Sequence, residues 1–269
     1  MRRLLILVLL LTGNRNPAAA QVPAFQLMRS DAVKLLDDVA RLYKKRVIAV
    51  NTSLSANVSA LAEVAIDGSP VIKVPPDRDP TEADLVHELF HLKLIAEGFG
   101  FIRFSRPLPS AVETRLSQWV KDPIEHTIFF PQMKEMGFNP AEQIEKIASN
   151  TRAGLIAEPG QAPELSVVPL FALQMALRDS PAVFESFIKG RVNETDIAVS
   201  RQAVEIVSKD EPGTPDEEIA TLVKVLNCLV PSIGTFSFTN WDLQKKGAVT
   251  VKTAIIQVEA PSDRPVCRR

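Results

Sequence analysis

Apolar positions follow two different periods along this chain, and the period predicts where helices and strands lie. Helical spacing from Ala32 to Leu42 predicts an amphipathic helix, and a short apolar run predicts a strand from Arg46 to Asn51. Two further runs, Leu61–Ile66 and Val71–Val74, flank the dipeptide Asp67-Gly68, which is a strong hairpin signal. A helix and a small sheet are therefore expected near the start of the chain.

The next apolar segment begins and ends like a helix but has almost no polar face. Thr81 is in the N-cap position, and Asp84, three residues later, completes a capping-box pattern. The segment continues to Glu97 and meets Gly98, a typical C-terminal stop. A helix that is apolar all round is buried. The pattern predicts a buried helix packed on the small sheet.

The rest of the chain is predicted to be mostly helical. Proline or capping signals mark helix starts at Ser110, Asp122, Asn139 and Thr214. Helices are expected near 164–178, 181–190, 194–208 and 215–227. Near the end the period changes to alternation over 234–241 and 248–258, which predicts two strands. The expected fold class is α+β and mostly helical, with a helical C-terminal half that ends in a β-hairpin.

The first twenty residues have the pattern of a signal peptide. Arg2 and Arg3 precede the apolar run Leu4–Leu11, which is too short for a membrane span, and small residues end at Ala20. We expect cleavage after residue 20 and export to the periplasm or the medium, without a membrane anchor. An uncleaved anchor is the alternative.

A Pro/Gly-rich stretch at 158–163 is the best candidate for a domain boundary. It would separate a domain over residues 21–157 from a helical region over 158–269, and a single domain is the alternative. With 31 basic and 32 acidic side chains the chain has a formal net charge of −1, which argues against a nucleic-acid partner. Export favours a disulfide between Cys228 and Cys267, the only two cysteines, over two free thiols.

The buried helix contains His87-Glu88-Leu89-Phe90-His91, an H-E-x-x-H motif. Positions four apart lie on one face of a helix, so the two imidazoles can hold one metal ion, and Glu88 can reach water bound to that metal. These residue types at this spacing are typical of a hydrolytic Zn²⁺ site. Two core histidines beside a carboxylate without a partner would be costly to bury, which favours the metal site.

The third ligand has to come from elsewhere in the chain. His126 is the only other histidine, and its neighbour Glu125 is the alternative ligand. Adjacent helical residues point about 100° apart, so one helix is not expected to offer both to one ion. Because Glu125 can also cap a helix beginning at Asp122, we predict His126 as the third ligand. The other residue could then orient a ligand.

The segment Val86–Leu92, with the preceding strand Val71–Val74, resembles the zincin metallopeptidases. The resemblance covers roughly 62–137 and implies a zincin-like domain in which His87 and His91 are ligands and Glu88 is the general base. It also implies an edge strand along the substrate cleft and a third ligand from a later helix. The third-ligand signatures of several branches are absent, and no histidine closely follows Gly98. The branch and its substrate are therefore left open.

These features predict an exported zinc-dependent metallopeptidase that acts on a peptide or protein. The alternatives are a non-catalytic zincin-like binding module and a hydrolase of non-peptide amides. An intact Glu88 favours the enzyme, whereas a scarcity of residues to stabilise an oxyanion favours the binding module. Tyr43 is the only tyrosine, and Arg103, Arg106 and Arg115, in the segment between the motif and the third ligand, are the candidates for this role. The sequence does not indicate an oligomeric state.

Overall fold

The computed structural model describes residues 29–54, 58–104, 117–157, 163–189, 192–230, 235–239 and 254–257. Within these ranges the protein is mostly helical with small sheets, in agreement with the expected α+β class. The chain forms two compact units, one containing residues 29–98 and 133–139 and the other containing the remaining described residues. The stretch 158–162 lies outside the described residues, and the domain boundary there stays a prediction.

Helix α1 (Ser30–Tyr43) and a three-stranded sheet open the first unit. The sheet has the order β1 (Ile48–Asn51), β3 (Pro70–Val74), β2 (Leu61–Val64), with β1 parallel and β2 antiparallel to β3. In the turn between β2 and β3, Gly68 has a φ of +78°, a left-handed conformation that favours glycine. The predicted helix and hairpin are confirmed, and β2 is an edge strand.

Helix α2 (Glu82–Glu97) has the predicted ends. The Thr81 side chain accepts a hydrogen bond from the Asp84 N–H, the Asp84 side chain accepts one from the Thr81 N–H, and Gly98 is left-handed at the C-terminus. The helix contacts α1, β2 and β3, and most of its residues are buried. The Tyr43 hydroxyl donates a hydrogen bond of 2.9 Å to the Leu92 carbonyl, which ties α1 to α2. The predicted burial of the helix is confirmed and the helix contacts the small sheet, whereas the zincin-like packing stays a prediction.

Six more α-helices follow within the described ranges. They are α3 (Asp122–Glu135), α4 (Ala141–Ala157), α5 (Pro163–Ala176), α6 (Pro181–Ile188), α7 (Glu194–Asp210) and α8 (Pro215–Leu229). Thr214 and Glu217 form the capping box of α8, as their spacing indicates. An apolar core joins residues of α3, α5, α7 and α8, among them Ile124, Phe171, Val199 and Leu226. The predicted helix start at Ser110 lies outside the described residues.

The α-helix begins at Asp122 as predicted, but Asp122 is not a free helix end. A π-helical turn, Ser117–Lys121, runs directly into α3, so the chain is already helical before Asp122. Pro123 supplies no N–H to the helix ladder, and a local change of helix type is one way for a chain to absorb such a loss. Glu125 consequently does not cap a free helix end, and its carboxylate instead contacts Lys121 one turn earlier.

A second sheet has the order β4 (Phe101–Phe104), β5 (Thr235–Thr239), β6 (Ala254–Gln257), with both pairs antiparallel. Sequence patterns did not predict β4. Residues 240–253 between β5 and β6 lie outside the described residues, so the terminal hairpin stays a prediction.

Two further predictions involve residues that the structure does not describe. The signal peptide, residues 1–20, is one of them. The other is the disulfide: Cys228 is buried in the helical core and is disulfide-bonded, as predicted, and its predicted partner Cys267 lies outside the described residues. Within the described ranges, no helix has the length and apolar character required to cross a membrane.

Candidate metal centre

Helix α2 places His87 and His91 side by side. Their Nε2 atoms are 3.2 Å apart and their ring centroids 4.9 Å apart. His87 is 9% exposed and His91 is partly buried. This proximity follows from the spacing of four residues, which brings both side chains to one face of the helix.

Helix α3 carries His126 between two aromatic side chains. Its ring stacks on Phe130 at 4.6 Å with an interplanar angle of 6° and meets Phe129 edge to face at 5.3 Å. Such aromatic contacts restrict the orientation of an imidazole. The Nε2 atom of His126 is shielded from solvent.

One ring nitrogen from each of His87, His91 and His126 lies within 4.8 Å of the other two. The three histidines are therefore close enough to hold a metal ion, as the sequence predicts. In a tetrahedral site with Zn–N bonds of about 2.0–2.1 Å, ligand nitrogens are roughly 3.4 Å apart. The 3.2 Å between the Nε2 atoms of His87 and His91 is close to that spacing.

Glu125, the alternative third ligand, is not in this group. Its side chain is almost fully buried and contacts the Lys121 ammonium, which also lies 3.9 Å from a carboxylate oxygen of Glu218. Burial alone would lower the pKa of Lys121, but Glu125, Glu218 and Asp122 outweigh that effect and raise it. Of the two candidates, the structure brings His126 close to the α2 pair.

Glu88 lies between the α2 histidines and the edge strand. Its Oε2 accepts a hydrogen bond of 2.6 Å from the Ala62 N–H in β2, and its Oε1 lies 4.0 Å from Nε2 of His87. The side chain is buried, with 9% of the residue exposed. A carboxylate in this position can exchange protons with a molecule bound at the histidines.

Sequence reasoning missed three residues around the site: Ala62, Lys121 and Glu218. Lys121 and Glu125 are four residues apart in a predicted helical segment, and this spacing indicates an ion pair. Ala62 acts through its backbone N–H, so its side chain gives no signal. Glu218 comes from a helix distant in sequence, and no local pattern connects it to Lys121.

The candidate residues for stabilising an oxyanion are only partly described. Tyr43 is 3% exposed and its hydroxyl donates to the Leu92 carbonyl, so it has a structural role in holding α2. Arg103 lies in β4, where the structure does not describe side chains, and Arg106 and Arg115 lie outside the described residues.

Comparisons with family models, with curated proteins and with solved structures find no match to this chain. The resemblance to zincins thus depends on the motif residues of the sequence.

Proposed function

We propose that this protein is an exported, zinc-dependent metallopeptidase of the zincin type. The observation that supports the proposal is the group of three histidine nitrogens within 4.8 Å of one another, next to the buried carboxylate of Glu88. Three imidazoles with one position left for water are the ligand set of a catalytic zinc site. A peptide or protein is the proposed substrate, and no nucleic acid is expected.

His87, His91 and His126 would hold the ion as neutral imidazoles. Zinc in such a site lowers the pKa of bound water to roughly 7 and polarises a carbonyl oxygen. Glu88 takes the proton from the attacking water as the carbon–oxygen bond forms. It then gives that proton to the leaving nitrogen as the carbon–nitrogen bond breaks. The same steps would hydrolyse a non-peptide amide, so the class of substrate has to be measured.

The second candidate function is a non-catalytic zincin-like binding module. The hydrogen bond from the Ala62 N–H to Glu88 favours it, because this bond occupies the carboxylate oxygen and ties it to the sheet. Under the peptidase proposal, Glu88 still has a second oxygen to receive the proton.

Metal analysis and an activity screen distinguish the two functions. The mature protein, loaded with zinc and dialysed, should keep about one zinc per chain and should cleave members of a mixed peptide library. A chelator should stop cleavage, and added zinc should restore it. Stoichiometric zinc without cleavage of any library member would favour the binding module, and absence of bound metal would contradict both functions.

The identity of the third ligand is tested with two variants. His126→Ala should lose far more zinc affinity than Glu125→Gln, because the Glu125 carboxylate contacts Lys121 and is not in the histidine group. Zinc affinity is measured by competition with a chromophoric chelator. If only Glu125→Gln releases the metal, the site is of the glutamate type and His126 is not a ligand.

The proposal of export depends on residues 1–20, which the structure does not describe. Intact-mass analysis of protein recovered from the periplasm or the medium should give a chain beginning at Gln21. A chain that retains Met1 and sediments with membranes would favour the uncleaved anchor.

A further inference from the structure

A charged cluster lies inside the helical core beside the third histidine. It consists of Lys121, Glu125 and Glu218, which are 4%, 1% and 0% exposed. The Lys121 ammonium contacts Glu125 and lies 3.9 Å from Glu218. Apolar residues of the same core surround it, including Val120, Ile124 and Leu222.

Stability alone is a poor reason to keep such a cluster. The cost of removing buried charges from water commonly cancels their attraction, and apolar residues of similar volume often serve a core as well or better. Apolar packing is also non-directional, whereas a charge-assisted hydrogen bond such as that from Lys121 to Glu125 holds only in a narrow range of geometries. The distinctive property of this cluster is therefore the direction that it imposes on the helices it joins.

The direction matters because His126 comes directly after Glu125 in the chain. Lys121 and Glu125 lie one turn apart on the same face of the helical segment that carries His126, and His126 projects about 100° further round. Glu218 belongs to the first turn of α8 and holds Lys121 from outside that segment. These contacts would fix the rotation of the helix about its own axis. They would thereby fix the direction in which the His126 side chain projects from the helix.

We propose that Lys121 is a positioning residue for the metal centre, which acts with Glu125 and Glu218 to fix the direction of His126. This inference rests on the proposed metal site. In this role Lys121 contacts neither the ion nor the substrate. Asp122 is the other carboxylate that acts on the Lys121 charge, and it begins the helix that carries His126.

A double-mutant cycle tests the proposal. Lys121→Met should weaken zinc binding roughly 10- to 100-fold, the range typical of residues that orient metal ligands. In a His126→Ala background, the same change should alter zinc affinity by less than about twofold, because the residue through which it acts is gone. The visible absorption of bound Co²⁺ should also change in Lys121→Met, since it reports the geometry of the ligands.

The matched control is Lys209→Met. Lys209 also forms an ion pair with a glutamate four residues away, Glu205, but both side chains are exposed on α7. It should leave zinc affinity and the Co²⁺ spectrum unchanged. Equal losses of affinity from Lys121→Met in both backgrounds would overturn the proposal in favour of a general structural effect.

Lys121→Met removes the cation that contacts two buried carboxylates, and for that reason the variant could fail to fold. A second variant is therefore included. This triple variant, Lys121→Met/Glu125→Gln/Glu218→Gln, removes all three charges together. It should unfold cooperatively in urea and should bind zinc more weakly than the wild type. Wild-type affinity in either folded variant would overturn the proposal, and so would failure of both to fold. A wild-type protein that binds no zinc contradicts the proposed function as well, whereas a zinc-binding wild type with unaltered variants contradicts this inference alone.

Discussion

Glu88 is the residue on which the distinction between an enzyme and a binding module depends. Its carboxylate accepts from the Ala62 N–H and lies 4.0 Å from His87. Glu88→Gln keeps the shape and the acceptor for Ala62 but cannot take a proton. We expect it to bind zinc like the wild type and to lose roughly 10²–10⁴-fold in hydrolysis. Zinc content and turnover of the same library peptide are the two measurements.

Glu97→Gln is the control for that variant. Glu97 lies on the same helix, its side chain is 40% exposed, and it pairs with Lys93 at 3.7 Å. Its replacement should leave turnover unchanged. Hydrolysis at the parent rate by Glu88→Gln would exclude Glu88 as the base.

Tyr43 provides a second prediction for a single residue. Burial raises the pKa of its phenol, so the folded protein keeps the proton at a pH at which the unfolded chain loses it. The contribution of Tyr43 to stability is fully present below a pH of about 10, the ordinary tyrosine pKa, and declines as the pH rises above it. Tyr43→Phe loses the hydrogen bond to Leu92 and should be less stable by about 1 kcal/mol at neutral pH.

The stability advantage of the wild type over Tyr43→Phe should fall by about 1.4 kcal/mol for each pH unit above 10, so that Tyr43→Phe becomes the more stable protein by about pH 11. Urea unfolding of both proteins at neutral pH and near the alkaline limit measures it. The raised pKa of Lys121 also makes stability fall at high pH, but that effect is common to both proteins and cancels. A difference that stays constant with pH would show that the unfolded and folded phenols titrate alike.

Among the elements, α2 has the best-defined ends. The contribution of its N-cap to stability can be compared with that of the N-cap of α8 in the same protein. Thr81 caps α2 and Thr214 caps α8, each in a complete capping box. Thr81→Ala and Thr214→Ala should each lower the unfolding free energy by about 1 kcal/mol. Urea midpoints of the two variants provide the comparison. A midpoint unchanged by Thr81→Ala would mean that the first turn of α2 is held by its packing and not by its cap.

Elements with local signals were predicted correctly, and those that depend on distant partners were not. The capping box at Thr81 and the Asp67-Gly68 turn are encoded within a few residues, so their positions follow from the sequence. The parallel pairing of β1 with β3 and the strand β4 have partners far along the chain. The π-helical turn before Asp122 is likewise a departure from a regular helix that the apolar period does not reveal.

The candidate site shows the same difference between features encoded locally and features that depend on distant residues. His87, Glu88 and His91 are within one helix and were predicted from their spacing, and His126 was predicted because it is the remaining histidine. The link from Lys121 to Glu218 crosses from the π-helical turn before α3 to a helix nearly a hundred residues later and has no local signature. Ligand types are therefore readable from the sequence, whereas the contacts that orient the ligands depend on tertiary packing.

At the scale of the whole molecule, metal binding and folding should be linked. His87 and His91 share a helix, but His126 comes from another element, so the complete ligand set exists only in the folded chain. A ligand that binds only the folded state stabilises it by about 2.7 kcal/mol when its free concentration is 100 times its dissociation constant. For a chain of this size, we expect zinc to raise the melting temperature by about 5–10 °C.

Thermal unfolding with zinc, with a chelator, and with zinc restored after the chelator measures this linkage. His126→Ala is the matched variant, because it keeps the α2 pair, which forms locally, and removes only the ligand contributed by the fold. Its melting temperature should respond to zinc much less than that of the wild type. If zinc binds the wild type stoichiometrically and the two melting temperatures respond equally, the ion is held by α2 alone. His126 would then contribute nothing to the site, and a three-histidine centre would be the wrong description of this protein.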